Sequence, residues 1–132
     1  MSSERIVDIS LRWGDSDLFD HVNNVRFFSL LEEARVRIHS GAARGSDILE
    51  NGLVVVEQKL TYLTPLHYRQ EPVQVGLTVD HVGGSSFRFA CRIFDAGADT
   101  LFAHGYVTMV AFDFETQTSR LLTQAERSWL EN

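Results

Sequence analysis

At 132 residues and a formal net charge of -6, the chain is long enough for one domain and too short for two ordinary ones. A composition that is 44% hydrophobic with nine Phe supplies one core and contains no stretch that reads as disordered. The negative balance argues against nucleic acid and anionic membrane as partners, and eleven of the twelve basic residues are Arg, whose planar fork suits phosphate.

The start, Met1-Ser-Ser-Glu-Arg5, lacks the basic and apolar regions of a signal peptide, and the longest aliphatic run, Leu53 to Val56, is too short to span a bilayer. A cytoplasmic protein is expected. Residues 5 to 13 alternate, with Val7, Ile9, Leu11 and Trp13 on one side, which predicts a half-buried strand. Phe27, Leu30, Leu31, Ala34 and Ile38 then recur at helical spacing and predict one amphipathic helix from about Val22 to Ser40, stopped by Gly41. Glu33 and Arg37 form a favourable i,i+4 pair, and Glu32 and Glu33 read as solvated or paired with Arg35 and Arg37.

After an irregular stretch ending at Gly52, strands are predicted over 53–63, 72–82, 86–95 and 100–113, separated by Pro65, Pro72, Gly83-Gly84 and Ala96-Gly97. Cys91, the only cysteine, falls on the apolar side of its strand and reads as core, so neither a disulfide nor a cysteine metal cluster is expected. From Leu101 to Phe112 there is no Asp, Glu, Lys or Arg, which predicts a strand covered on both faces, one of them by a partner subunit. Thr123 to Leu130 can form a short terminal helix. Short connections favour antiparallel neighbours, and a lone helix buries its stripe only by lying across their sheet. The expectation is an α+β domain, 1–132, with a curved five-stranded antiparallel sheet wrapped around one long helix.

Chemistry concentrates between the first strand and the helix, where Asp15, Asp17, Asp20, His21, Asn23 and Asn24 crowd together. Asp and Asn form turns, and Asp20 or Asn23 can cap the helix. A second reading uses the unpaired N–H groups at the helix start, whose partial positive charge polarises a carbonyl, with a carboxylate before them as nucleophile or general base. Thioester hydrolysis needs little more, because a thiolate leaves easily.

Trp13, Asp15, Asp17, His21, Val22, Asn23 and Asn24, followed by Glu32-Glu-Ala-Arg35, stand without a gap in the register W-x-D-x-D-x-x-G-H-V-N-N and E-E-A-R. This segment resembles the signature of the 4-hydroxybenzoyl-CoA thioesterase branch of the hotdog-fold thioesterases. Val54 to Leu66, with Tyr62 and Pro65, is similar to the next strand of these enzymes, and Gly84-Ser-Ser-Phe87 to a later turn. The resemblance implies the hotdog fold, hydrolysis of an acyl-CoA to free acid and CoA, and a site completed across a homodimer or dimer of dimers. It implies no metal and no cofactor beyond the CoA thioester as substrate.

By the same resemblance Asp17 is the nucleophile or general base, Asp15 holds the turn, and the oxyanion donors are backbone N–H groups around His21 to Asn23. Asp17, Phe19 and His21 stand at the alternate positions of a catalytic Asp-Asn-His set in plant acyl-carrier-protein thioesterases, with Phe19 in place of Asn. His21 and Asn24 are therefore further catalytic candidates, and Val22, Asn23, Tyr62, Ser85 and Ser86 candidate substrate contacts. Arg69, Arg88 and Arg92 are candidates for the CoA phosphates. Two departures stand out: Asp20 replaces the usual Gly, either as a second negative charge or in a left-handed turn, and Phe27 replaces the usual Tyr and reads as core. The competing class is an acyl-thioester binding or sensing module; a hydratase on this fold uses its Asp and His in a different motif context, absent here.

Overall fold

The computed structural model describes residues 3–42 and 51–131. In chain order these form β1 (Arg5–Ile9), a short 3-10 turn (Trp13–Asp15), α1 (Asn24–Ala42), β2 (Leu53–Tyr62), β3 (Val73–Val82), β4 (Ser86–Asp95), β5 (Thr100–Asp113), β6 (Thr118–Ser119) and α2 (Gln124–Glu131). All strand pairings are antiparallel, in the order β1-β3-β4-β5-β2, with β6 added against β5. The predicted helix-on-sheet domain is what forms.

Alternation explains the core. Val73, Val75, Leu77 and Val79 on β3 and Phe87, Phe89, Cys91 and Ile93 on β4 all turn to one face and are buried, where Phe27, Leu30, Leu31 and Ala34 of α1 cover them. Burial pushes the Cys91 thiol up to about 11, so it is a protonated core residue and no nucleophile. At Gly105 a Cβ would lie 1.8 Å from the Lys59 carbonyl oxygen, so β2 reaches β5 this closely only because that residue is glycine.

The structure corrects several boundaries. The sheet has six strands instead of five, because the turn Phe114 to Gln117 folds Thr118–Ser119 back onto Phe112 and Asp113. Two residues carry no readable periodicity. β1 ends at Ile9, and Trp13, expected on the core side, is 80% exposed. The cause is Asp15, whose Oδ2 accepts the Arg12 N–H at 2.9 Å and turns the chain before Trp13 can continue the strand. The helix starts at Asn24, not Val22, since Asn23 turns its side-chain oxygen onto the Val25 N–H as the cap. It also runs through Gly41, a residue that costs a helix only about 1 kcal/mol. The irregular stretch expected before Gly52 lies, at 43–50, outside the described residues.

Within this chain β5 buries Ala103, Val107, Met109 and Ala111, joined by Phe102 where the register shifts, whereas His104 is exposed and Tyr106 and Thr108 are half-buried. The other face carries His104, Tyr106, Thr108, Val110 and Phe112, a mixed and uncharged surface. Glu33 pairs with Arg37 at 3.5 Å as expected, but Arg35 has no acidic partner among the described residues and is buried.

The terminal helix is held by charge. Thr123 and Glu126 form a reciprocal cap, Thr123 N–H to Glu126 Oε1 at 2.7 Å and Glu126 N–H to Thr123 Oγ1 at 3.1 Å. Arg120 grips the same carboxylate with two bonds of 2.8 and 2.9 Å and donates to the Gly52 carbonyl at 3.0 Å, strapping β6 and α2 to the start of β2. Burial pushes Glu126 up, but the Arg120 and Thr123 hydrogen bonds outweigh it and hold the carboxyl below the ordinary 4.5. A lowered folded value means stability that is present above 4.5 and lost as pH falls through the folded pKa. Glu126→Ala is therefore expected to cost about 3 kcal/mol in urea unfolding at about pH 7 and to lose much less at about pH 3.

Candidate functional site

The loop between β1 and α1 is fixed largely by its own backbone. Asp15, 4% exposed, takes Arg12 on its carboxylate while its carbonyl accepts the Asn23 N–H at 2.9 Å. Asp17 N–H donates to the His21 carbonyl at 2.8 Å, and the Asp20 N–H donates back to the Asp17 carbonyl at 3.2 Å. Closing so short a loop puts Asp20 at φ 62, the left-handed region that Asp tolerates. The Asp17 side chain sits inside this turn, its Oδ1 accepting the Phe19 N–H at 2.8 Å and more loosely the His21 N–H at 3.5 Å. Its Oδ2 accepts no hydrogen bond among the described residues.

Asn23 caps α1: its Oδ1 accepts the Val25 N–H at 2.9 Å and its carbonyl the Arg26 N–H at 2.8 Å. Val22 N–H donates to the Leu66 carbonyl at 2.7 Å, which draws the segment after β2 alongside the helix start. There Tyr62 donates its hydroxyl to the Asn24 carbonyl at 2.9 Å and packs edge-on against the buried Phe27. Two of the amides expected as oxyanion donors, those of Val22 and Asn23, are thus already engaged. The first helical N–H, that of Asn24, meets no acceptor among the described residues and is the open donor.

Asp17, His21, Asn24, Phe27, Tyr62 and Leu66 line a cleft of about 320 Å³. Asp17 also borders a wider depression of about 770 Å³, walled by Trp13, Leu18, Asp20, Asn23 and Tyr68, and so stands on the ridge between the two. His21 is half-buried and meets His67 edge-on at 4.8 Å. His67 Nδ1 lies 2.9 Å from the Asp20 carbonyl, which can only accept, so that nitrogen carries the proton. Nothing in the local sequence marked His67, because only the long-range Val22–Leu66 bond brings it to the loop.

The structure gathers Asp17, His21, Val22, Asn24 and Tyr62 in one cleft and Asn23 beside them. It does not bring Ser85, Ser86, Arg69 or Arg88 to either. The Ser85 and Ser86 carbonyls accept the Ala111 and Gly83 N–H groups in the β3–β4 turn. Arg69 pairs with Asp95 and donates to the Pro72 carbonyl at 2.8 Å. Arg88 pairs with Asp80 at 2.9 Å over the Tyr106 ring, and Arg92 with Glu4 at 2.6 Å over Phe94. Each arginine expected at phosphate is engaged within the chain. Among the described residues, no group of three His, Cys, Asp or Glu is arranged to hold a metal, and no helix is long and apolar enough to cross a membrane.

Residues 11–130 match the family model of the thioesterase-like superfamily. The chain belongs to that superfamily. A putative acyl-CoA thioesterase from Xanthomonas campestris is 36% identical, with a TM-score of 0.74 over 86% of this chain and 95% of that one. A Thermus thermophilus thioesterase, solved with coenzyme A and zinc, is 28% identical, with a TM-score of 0.79 over 95% of this chain and 90% of the other. A 1,4-dihydroxy-2-naphthoyl-CoA thioesterase from Synechocystis shares the fold at 17% identity, TM-score 0.84, over 97% of this chain and 96% of that chain. Comparison with curated protein sequences finds no match. The thioesterase fold is the hotdog arrangement seen here, a long helix embraced by an antiparallel sheet, and the enzyme class is thioester hydrolysis.

The Asn23 cap sets the register of the helix start, so Asn23→Ala is expected to cost about 1 kcal/mol and to lower the melting temperature by roughly 4 °C, read by circular dichroism.

Proposed function

We propose that this thioesterase hydrolyses acyl-CoA to free acid and CoA, with Asp17 as general base or nucleophile. The observation that carries the reading is the pairing, in one cleft, of a carboxylate with a free oxygen and the open Asn24 amide at the start of a long helix. A thioester whose carbonyl oxygen rests on that amide is polarised by the N–H and by the helix dipole. In the base route, Asp17 takes a proton from water as the water oxygen bonds to the carbonyl carbon. The resulting oxyanion is held at the helix start, the C–S bond breaks, and the departing thiolate takes up a proton. In the nucleophile route, Asp17 itself bonds to the carbon, the C–S bond breaks and the thiolate leaves and takes up a proton, and water then cleaves the acyl-aspartyl anhydride to the free acid and the Asp17 carboxylate.

His21 and Asn24 line the same cleft and are assigned proton transfer to the leaving group and orientation of water. CoA as the thiol is supported by the Thermus relative, which was solved with coenzyme A. A homodimer, or a dimer of dimers, fits the outer edge of β2: the strand pairs with β5 on one side, and Val55 and Val56 are exposed along it. No cofactor enters the reaction, and a cytoplasmic setting belongs to the same reading. The competing role, a binding module with slow turnover, is favoured by Asp20, whose side chain borders the Asp17 ridge with a second negative charge.

Free-thiol release from short, medium, long and aromatic acyl-CoAs decides between them. Asp17→Asn is expected to lower kcat at least about a hundred-fold with intact CoA-ester binding. A variant as fast as the wild type moves the chemistry elsewhere, and a wild type as slow as the variant makes the protein a binder.

A further inference from the structure

Three successive peptide units between Phe19 and Val22 surround the Asp17 carboxylate, and they are not held alike. The 19–20 unit is fixed by the Asp20 N–H, which donates to the Asp17 carbonyl at 3.2 Å. The 21–22 unit is fixed twice, its carbonyl accepting the Asp17 N–H at 2.8 Å and its N–H donating to the Leu66 carbonyl at 2.7 Å. The unit between them, 20–21, has no backbone partner among the described residues. Its carbonyl accepts the His67 Nδ1–H at 2.9 Å, and its N–H reaches Asp17 Oδ1 at 3.5 Å. Asp20, on which this unit pivots, sits at φ 62, a conformation that Asp tolerates without favouring.

We infer that His67 is a positioning residue for thioester hydrolysis, holding the 20–21 peptide so that its N–H faces the Asp17 carboxylate. The inference rests on Asp17 as base or nucleophile. A trans peptide is planar, with C=O and N–H on opposite sides, so drawing the carbonyl onto His67 turns the N–H toward Asp17. Once released, the same unit can turn over and set its carbonyl oxygen against an ionised oxygen, an approach of like partial charges that displaces the carboxylate. Held as it is, Oδ1 faces the Phe19 and His21 N–H groups, and Oδ2 stays open for the reaction. His67 supplies this latch from a segment 47 residues away, beside the Leu66 carbonyl that anchors Val22.

His67 is not itself placed to meet substrate. It lines neither depression at Asp17, and its Nδ1 proton is committed to the Asp20 carbonyl. Its edge-on contact with the His21 ring, 4.8 Å between centroids, is a second route by which it could act, and substitution separates the two. Phe keeps an aromatic ring and removes the donor, whereas Asn removes the ring and keeps an N–H near the place of Nδ1.

With the acyl-CoA of the panel above that wild type turns over fastest, His67→Phe is expected to lower kcat about tenfold and to leave KM within about twofold. Its melting temperature should stay within about 3 °C, since His67 is exposed. His67→Asn should recover most of the lost rate. In the Asp17→Asn background, His67→Phe should cost less than about twofold more, because the group that it orients has lost its role. Independently of turnover, 15N NMR at about pH 8, where an imidazole is neutral, should show His67 as the Nδ1–H tautomer.

Where Asp17→Asn is impaired as proposed, a His67→Phe variant as fast as wild type overturns this inference alone. So does a loss that Asn does not recover, which assigns the effect to the ring contact. A full loss on top of Asp17→Asn, a rise in KM with a lower melting temperature, or an Nε2–H tautomer overturns it equally. Should Asp17→Asn match wild type, the reading of Asp17 falls and takes this inference with it.

Discussion

Val22 and Asn23 donate their backbone N–H groups sideways, to the Leu66 and Asp15 carbonyls, instead of leaving them at the head of α1. Those two bonds tie three separate pieces of chain together: the 3-10 turn, the helix start and the segment after β2. A helix ordinarily leaves its first amides unpaired, and here all but one near the loop are assigned before any ligand arrives. The remaining one, on Asn24, is open because the Asn23 side chain caps Val25 and the Asp17–Asp20 turn closes on itself. In the proposed reaction, how the loop distributes its amides decides which N–H is left to meet the carbonyl beside Asp17.

Two arginines, one half-buried and one buried, show opposite solutions to the same electrostatic problem. Half-buried Arg120 meets the buried Glu126 bidentately and also grips backbone carbonyls, so the two charges neutralise each other and strap the chain's end to β2. Arg35 sits deeper, at 6% exposure, and among the described residues its only acceptor is a sulfur. The first arrangement is complete within the chain and accounts for structure. The second is incomplete among the described residues.

What was legible in the sequence was what local chemistry determines. Alternation located β2 to β5 within a residue or two and the apolar stripe located α1, while of the two caps the loop offered, Asp20 and Asn23, it is Asn23 that caps and Asp20 that takes the left-handed turn. Phe27 in place of Tyr proved to be core, while a different residue, Tyr62, brings a hydroxyl to the helix start. What stayed hidden depends on contacts between distant segments. His67 acquires meaning through the Leu66 carbonyl, the arginines expected at phosphate through the distant acids Asp95, Asp80 and Glu4, and β6 through two residues with no pattern of their own. Arg35 and His39 follow Phe27 and Leu31 at steps of four, so their burial follows from helix geometry, yet their lack of partners appears only once the sheet is in place.

The Asp17 carboxylate divides its two oxygens between structure and chemistry. Oδ1 is held at 2.8 Å by the Phe19 N–H, a bond that closes the turn and fixes the plane of the group. That bond survives only while Asp17 keeps an acceptor at this oxygen, so a proton taken up from water must land on Oδ2. The same fixation means the free oxygen cannot rotate away from the ridge between the two depressions without breaking the turn. In the proposed reaction the base is therefore oriented before substrate binds, which lowers the entropy lost in reaching the transition state. Phe19, at the position where a plant thioesterase-like set would place Asn, takes part through its backbone amide alone, and this is why a phenyl side chain, 79% exposed, is compatible with the site.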